Sequence, residues 1–90
     1  MRTIKATING KVQGVFFRKF VKDKADELGV RGFIRNLDNG DVEVVAEGRD
    51  ENVNELLENL KKGQVHSEVK EVKIEEIKYQ GFDRFKILRI

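Results

Sequence analysis

The 90-residue sequence predicts an α+β domain in which two helices cover one face of an antiparallel sheet. In some segments apolar residues alternate with polar ones, as in half-buried strands, and in others they recur every three or four positions, as in amphipathic helices. Turn-forming glycines separate these segments. The order is β-α-β-β-α-β with a final short strand, which is the split βαβ pattern of ferredoxin-like sandwiches. No linker, repeat or low-complexity stretch interrupts the chain, so residues 1–90 are predicted to form one domain.

The first strand and the first helix are separated by a change of period. The stretch from Thr3 to Val12 is predicted to be a strand because its apolar residues occupy every second position, at Ile4, Ala6 and Ile8. From Phe17 the period becomes helical, and Gly29 stands where glycine commonly ends a helix. The helical stripe is predicted to be core, and it consists of Phe17, Phe20, Val21, Ala25 and Leu28.

The remaining elements are predicted in the same way. Val30 to Asn36 is a short strand, and the turn signal Asp38-Asn39-Gly40 connects it to an alternating strand from Asp41 to Glu47. A second helix is predicted from Asp50 to Lys62, burying Val53, Leu56, Leu57 and Leu60.

Two further strands follow the second helix. The apolar spacing from Val69 to Ile77 is irregular, which predicts a strand with a β-bulge. A last strand is predicted from Phe85 to Ile90.

Composition narrows the class of protein. Cysteine is absent, which excludes disulfides, thiolate nucleophiles and cysteine zinc sites. No apolar run is long enough for a signal peptide or a bilayer span, so a cytoplasmic protein without a membrane partner is expected. The net charge is only +2, but residues 1–36 hold nine basic and three acidic residues, a balance of +6, whereas residues 37–90 hold nine and thirteen, a balance of −4. Such a field would steer a small anion towards the first half.

A glycine turn in that half joins the first strand to the first helix. The run Gly10-Lys11-Val12-Gln13-Gly14-Val15-Phe16-Phe17-Arg18 places one guanidinium at the start of the helix. Backbone N–H groups in the first turn have no partner within the helix, and the helix dipole adds partial positive charge there. A phosphate-binding site is therefore predicted, formed by the Arg18 guanidinium and by the backbone amides of Gly14, Val15, Phe16, Phe17 and Arg18.

The charges along this helix favour the same interpretation. Arg18 and three lysines crowd its beginning while Asp26 and Glu27 lie near its end, the reverse of what the helix dipole prefers. The second helix has the usual order, beginning with acidic residues and ending with basic ones. A bound anion would offset the reversed charges. The alternative is a solvated basic face without a ligand.

Other residues offer little chemistry. His66 is the only histidine and Ser67 the only serine, and neither has the surroundings of a catalytic pair. The acidic residues are scattered without the spacing of metal ligands, so no metal is predicted. Asn36 is of interest because, in a right-handed βαβ unit, the end of its strand lies beside the glycine loop. The alternative is that Asn36 simply opens the turn that follows it.

Two segments resemble known signatures. Gly10 to Arg18 closely matches the first signature of the acylphosphatase family, and Gly32-Phe33-Ile34-Arg35-Asn36, with Gly40, Val42 and Gly48 beyond it, resembles the second. The resemblance covers essentially the whole chain. Many members have glycine where Phe16 stands, and tryptophan or tyrosine where Phe33 stands. Both departures keep an apolar environment.

The resemblance implies hydrolysis of the carboxyl–phosphate bond of acyl phosphates to a carboxylate and inorganic phosphate, without a cofactor. It implies that Arg18 binds the phosphoryl group and that Asn36 positions water. Inorganic phosphate or sulfate should then compete with the substrate. A monomer is the simplest expectation.

Two alternatives belong to other classes. A ferredoxin-like RNA-binding module would carry stacked aromatics on its first and third strands, but neither predicted strand has one, so no nucleic-acid partner is expected. A ligand sensor would bind a phosphate-bearing metabolite in the same loop without turnover.

Overall fold

A computed structural model describes residues 1–64 and 67–88. The predicted order of elements is confirmed. The elements are β1 (Arg2–Lys11), α1 (Val15–Leu28), β2 (Arg31–Asn36), β3 (Val42–Gly48), α2 (Asp50–Lys62), β4 (Glu68–Glu76) and β5 (Phe85–Ile87). The bounds of α2 agree with the sequence, and every end of the first three strands lies within one residue of its predicted position. Helix α1 begins two residues before its predicted stripe. The last strand ends at Ile87, and Arg89 and Ile90 lie outside the described residues.

The five strands form one sheet in the order β4-β1-β3-β2-β5. The first four strands pair antiparallel, as predicted, but β5 pairs parallel to β2, so the sheet is mixed. After β4 the chain crosses the sheet through residues 77–84 and enters β5 at the end where β2 also begins. Because β1 and β2 both run antiparallel to β3, they are parallel to each other, and their carboxyl ends lie at the same end of the sheet.

The main core lies between the helices and one face of this sheet. Alternate residues of the strands point into it, among them Ile4, Ala6 and Ile8 of β1 and Ile34 of β2. The helices contribute apolar stripes that agree with the predicted ones, with Phe17, Val21 and Ala25 from α1 and Val53, Leu56, Leu57 and Leu60 from α2. Neither helix, within the residues described, is long and apolar enough to cross a bilayer.

The other face of the sheet buries a carboxylate. Glu47 is fully buried on this helix-free face, and its oxygens accept hydrogen bonds from the Thr3 hydroxyl and from the backbone N–H groups of Gln80, Gly81 and Phe82. Burial by itself raises the pKa of Glu47, but these four hydrogen bonds outweigh burial and hold the pKa below its ordinary value. Glu47 therefore ties the crossing segment to the sheet.

The predicted bulge is confirmed in β4. Asn9 pairs with Glu71 while Gly10 pairs with Val69, which leaves Lys70 as the extra residue. Gly10 makes this close approach possible, because a Cβ on it would lie 2.0 Å from the Glu68 carbonyl oxygen. β4 forms one edge of the sheet and the three-residue β5 forms the other.

Candidate active site

The predicted phosphate cradle comprises the backbone amides of Gly14 to Arg18 together with the Arg18 guanidinium. Gly14 caps α1 with φ 129° and ψ 164°, and no side chain caps this end of the helix. A residue with a Cβ is strained at this φ, although a Cβ would meet nothing within 4 Å. The requirement for glycine is therefore conformational: it lets the chain turn into the helix, whose first-turn N–H groups have no partner within the helix.

The side chain of Arg18 folds back over this loop. Its Nε donates to the Gly14 carbonyl oxygen at 3.3 Å, and its backbone N–H donates to the same oxygen at 3.4 Å, the first hydrogen bond of the helix. The Arg18 amide of the predicted cradle therefore already has a partner within the helix. Within the part of the chain that the structure describes, no carboxylate forms an ion pair with Arg18. The guanidinium thus lies at the positive end of the helix dipole with no anionic side chain to neutralise it.

The other cations of α1 are paired within the helix. Each of the three lysines bonds a carboxylate three or four residues later: Lys19 with Asp23, Lys22 with Asp26, and Lys24 with Glu27, at 3.2, 2.7 and 3.4 Å. These surface pairs give the reversed charges a local compensation that the sequence argument did not consider. They leave the first turn without an acidic residue, so compensation does not extend to the cradle.

Asn36 lies at the carboxyl end of β2, on the same side of the sheet as α1. It pairs with Val42 of β3, and Val42 pairs with Ile8 of β1, so Asn36 stands two strands, or about 10 Å, from the strand that leads into the loop. Its side chain is on the face of Ile34, which is the helix-covered face. The arrangement brings Asn36 and the cradle to the same end of the sheet, as the sequence predicts.

The side-chain oxygen of Asn36 has an unusual environment. Oδ1 is buried and accepts no hydrogen bond from the residues described. A buried acceptor without a partner costs about 1 to 3 kcal/mol, so such groups are rare in folded proteins. This oxygen therefore has a hydrogen-bonding capacity that the described residues do not use.

The turn after β2 is built by a different asparagine. The Oδ1 of Asn39 accepts the backbone N–H of Asp41 at 3.0 Å, and its Nδ2 donates to an oxygen of the Asp41 carboxylate at 3.2 Å. The turn closes through the Leu37 N–H, which donates to the Asp41 carbonyl oxygen at 2.8 Å. Because Oδ1 of Asn36 takes no part in these bonds, it is not this oxygen that closes the turn.

Apolar side chains flank the cradle. Val15 and Phe16 are 61% and 71% exposed at the start of α1, whereas the next residue, Phe17, is buried in the core. Phe33 lies on the other face of the sheet, where its ring meets that of Phe82 edge-on at a centroid distance of 5.9 Å. The two departures from the family signatures therefore lie in different places, and only Phe16 adjoins the cradle.

Other candidate groups lie elsewhere. His66 is outside the described residues, and Ser67 bonds the backbone of Gln64 through its hydroxyl. Across residues 1–64 and 67–88, no group of three or more histidine or acidic side chains is placed to hold a metal ion.

Comparison with known proteins agrees with the fold. Residues 4–87 match the acylphosphatase family. The chain belongs to the acylphosphatase family. An acylphosphatase from Bacillus licheniformis is 44% identical over 81 residues, which cover 89% of this chain and 90% of that protein. The family supports a hydrolase that acts on acyl phosphates.

Solved acylphosphatase structures share the whole architecture. That of the Bacillus subtilis acylphosphatase superposes with a TM-score of 0.94 at 34% identity, covering 99% of this chain and 100% of the other. That of an acylphosphatase from Coxiella burnetii superposes with a TM-score of 0.91 at 41% identity, covering 97% and 92%. The ferredoxin-like fold is therefore that of the acylphosphatases.

Sequence reasoning assigned no role to Gln13. Its side-chain Nε2 donates to two backbone carbonyls of the turn after β2, those of Leu37 at 2.9 Å and Asp41 at 3.1 Å. A signal was present in the sequence, because the βαβ topology places the loop and this turn at the same end of the sheet, and Gln13 is the polar side chain of the loop. The distance from Gln13 to the two carbonyls could not be predicted from the sequence.

Proposed function

We propose that this protein binds the phosphoryl group of its substrate through the backbone amides of Gly14 to Phe17 and the Arg18 guanidinium, while Asn36 positions the attacking water. The observation that carries the proposal is the buried, unpartnered Oδ1 of Asn36, which lies at the same end of the sheet as the cradle. Hydrolysis requires a phosphoryl site and an acceptor for the attacking water in the same region of the protein.

The chemistry suits such simple equipment. Water attacks phosphorus, the bond from phosphorus to the acyl oxygen breaks, and its electron pair leaves on the carboxylate. The conjugate acid of that carboxylate has a pKa of roughly 4, as for a glutamate side chain, so it departs without a general acid. Phosphoryl transfer through a loose transition state depends on positioning and charge stabilisation more than on covalent chemistry. The amides and the guanidinium supply both.

Asn36 acts by orientation. Its amide is too weak a base to remove a proton, but Oδ1 can accept a hydrogen bond from the attacking water. Rotation about χ2, a soft torsion in asparagine, presents the oxygen to that water. The proton lost by the water passes to an oxygen of the phosphoryl group.

In this mechanism the cradle supplies the positive charge that a metal ion supplies in nucleotide hydrolases. Hydrolysis is therefore expected to continue in the presence of a chelator, and inorganic phosphate or sulfate is expected to compete for the cradle. A monomer in the cytoplasm stays a prediction from the sequence.

The test is phosphate release from acetyl phosphate and benzoyl phosphate with a chelator present. Wild type should turn over both substrates and Arg18→Ala should lose nearly all activity. Lys19→Ala is the matched control, because it removes one cation from the same helix outside the cradle, and it should retain activity. Binding of inorganic phosphate without turnover would favour the sensor alternative. Equal losses in the two variants would overturn the role of Arg18.

A further inference from the structure

A single side-chain amide joins the phosphate loop to the turn that follows Asn36. Gln13 Nε2 donates one hydrogen bond to the Leu37 carbonyl at 2.9 Å and one to the Asp41 carbonyl at 3.1 Å. Gln13 directly precedes Gly14 in the loop, and Leu37 directly follows Asn36. The bridge therefore connects the immediate chain neighbours of the cradle and of the water-positioning residue.

The acceptors of this bridge are already part of the turn. The Leu37 carbonyl accepts the N–H of Gly40 at 3.2 Å, and the Asp41 carbonyl accepts the N–H of Leu37 at 2.8 Å. The Gln13 amide uses the second lone pair of each carbonyl. The turn is thus closed without Gln13, and the bridge adds a connection between elements 24 and 28 residues apart.

Packing does not explain the conformation of Gln13. Its side chain is exposed, although the neighbouring Val12 is buried in the core. Holding an exposed glutamine in one conformation costs rotamer entropy, which a merely solvated residue would not spend. The two hydrogen bonds fix where the loop lies relative to the end of β2.

We propose that Gln13 is a positioning residue that sets the separation between the phosphate cradle and Asn36. The inference rests on the proposed function, in which the cradle holds phosphorus and Asn36 holds the water. In-line displacement requires these two at a fixed distance and angle, and small misplacements are costly. Gln13 touches neither reactant and acts through the loop and the turn.

The chain offers a matched control in Asn9. Its Nδ2 donates to the Asp41 carboxylate at 2.9 Å, so it ties the same turn to β1 rather than to the loop. Asn9 is exposed, as Gln13 is. Removal of either residue takes away one connection between the turn and a neighbouring segment, but only removal of Gln13 disconnects the turn from the cradle.

The experiment compares Gln13→Met with Asn9→Ala, each alone and combined with Asn36→Ala. Methionine keeps the length of glutamine and has no donor. Gln13→Met should lower kcat about 10- to 100-fold while KM and the Kd of inorganic phosphate stay within about threefold. Asn9→Ala should keep kcat within about twofold. With Asn36→Ala present, Gln13→Met should lower kcat by less than about threefold more, because the group it positions is gone.

Several results would overturn this inference without affecting the proposed function. These are a normal kcat in Gln13→Met, equal losses of kcat in Gln13→Met and Asn9→Ala, or a full additional loss in the Asn36→Ala background. If Gln13→Met does not fold at the assay temperature, Gln13→Asn replaces it, since its amide is one methylene too short to reach both carbonyls and should show the same loss. A wild-type protein that hydrolyses neither substrate would overturn the proposed function, and the positioning role with it.

Discussion

Replacing the buried Glu47 with glutamine disturbs a carboxylate that four donors share. Oε2 accepts the Thr3 hydroxyl at 2.7 Å and the Gln80 N–H at 2.6 Å, and Oε1 accepts the N–H groups of Gly81 and Phe82 at 3.0 Å each. If the new NH₂ group takes the Oε1 position, two backbone N–H groups lose their acceptor. If it takes the Oε2 position, it can donate to the Thr3 hydroxyl, and only the Gln80 N–H loses its acceptor. The second arrangement sets the minimum cost.

That minimum can be estimated from hydrogen-bond energies. A donor left without an acceptor costs about 1 to 3 kcal/mol, and the remaining bonds weaken by about 1 kcal/mol because their acceptor is no longer charged. We therefore expect Glu47→Gln to lower the free energy of unfolding by roughly 2 to 4 kcal/mol. In a domain of this size such a loss lowers Tm by about 10 to 25 °C.

Thermal unfolding followed by circular dichroism between pH 3 and pH 8 measures the effect. The pKa of Glu47 is lower in the folded protein than in the unfolded chain, so its contribution is complete above the unfolded pKa of about 4.3 and is lost as the pH falls through the lower folded value. The Tm difference between wild type and Glu47→Gln should be constant above about pH 6 and shrink below about pH 4.

Glu75→Gln serves as the control for this experiment. It makes the same change of charge on β4, where the side chain is 67% exposed and lies 4.0 Å from Lys5, and should shift Tm by no more than about 2 °C. A shift at pH 7 as small in Glu47→Gln as in Glu75→Gln would refute the reasoning. So would a Tm difference that does not change as the pH falls.

Three further predictions concern the candidate site. Arg18→Lys should lower kcat/KM about 100-fold or more, because a point charge cannot reproduce the planar donors of the guanidinium, and retention of over about a tenth of the activity would contradict this geometry. Asn36→Ala should lower kcat far more than it raises KM, whereas a lower Tm with normal kcat would restore the turn-forming role. Inorganic phosphate should raise the Tm of wild type more than that of Arg18→Ala at constant ionic strength, and equal shifts would indicate general screening.

Local patterns in the sequence carried the prediction of the fold a long way. α2 begins and ends where its charges and apolar stripe predict, at Asp50 and Lys62. The irregular apolar spacing after Val69 marks the extra residue Lys70 of the bulge. The handedness of one βαβ unit predicts that Arg18 and Asn36 lie at the same end of the sheet. The catalytic roles of these two residues stay predictions, since the family signatures imply them and no measurement on this chain tests them.

The features that the sequence did not predict depend on contacts between residues far apart in the chain. Alternation correctly places Glu47 on the opposite face from Val44 and Ala46, but that face looked solvated because its cover comes from residues 33 to 35 positions later in the chain. The parallel pairing of β5 was not predicted for the same reason. It depends on the path of residues 77–84, and the apolar residues of that segment have no regular period. The bridge from Gln13 likewise depends on a distance between two segments.

The two edges of the sheet bear on how the native protein behaves when it is concentrated. Six of the nine residues of β4 are charged, with both signs present, and Lys70 interrupts its regular hydrogen-bonding row. At the opposite edge, β5 offers only three residues. Charge, irregularity and shortness all discourage a strand of another copy from extending the sheet. We expect the folded chain to resist aggregation through its edges, which leaves partly unfolded chains as the species to avoid during purification and storage.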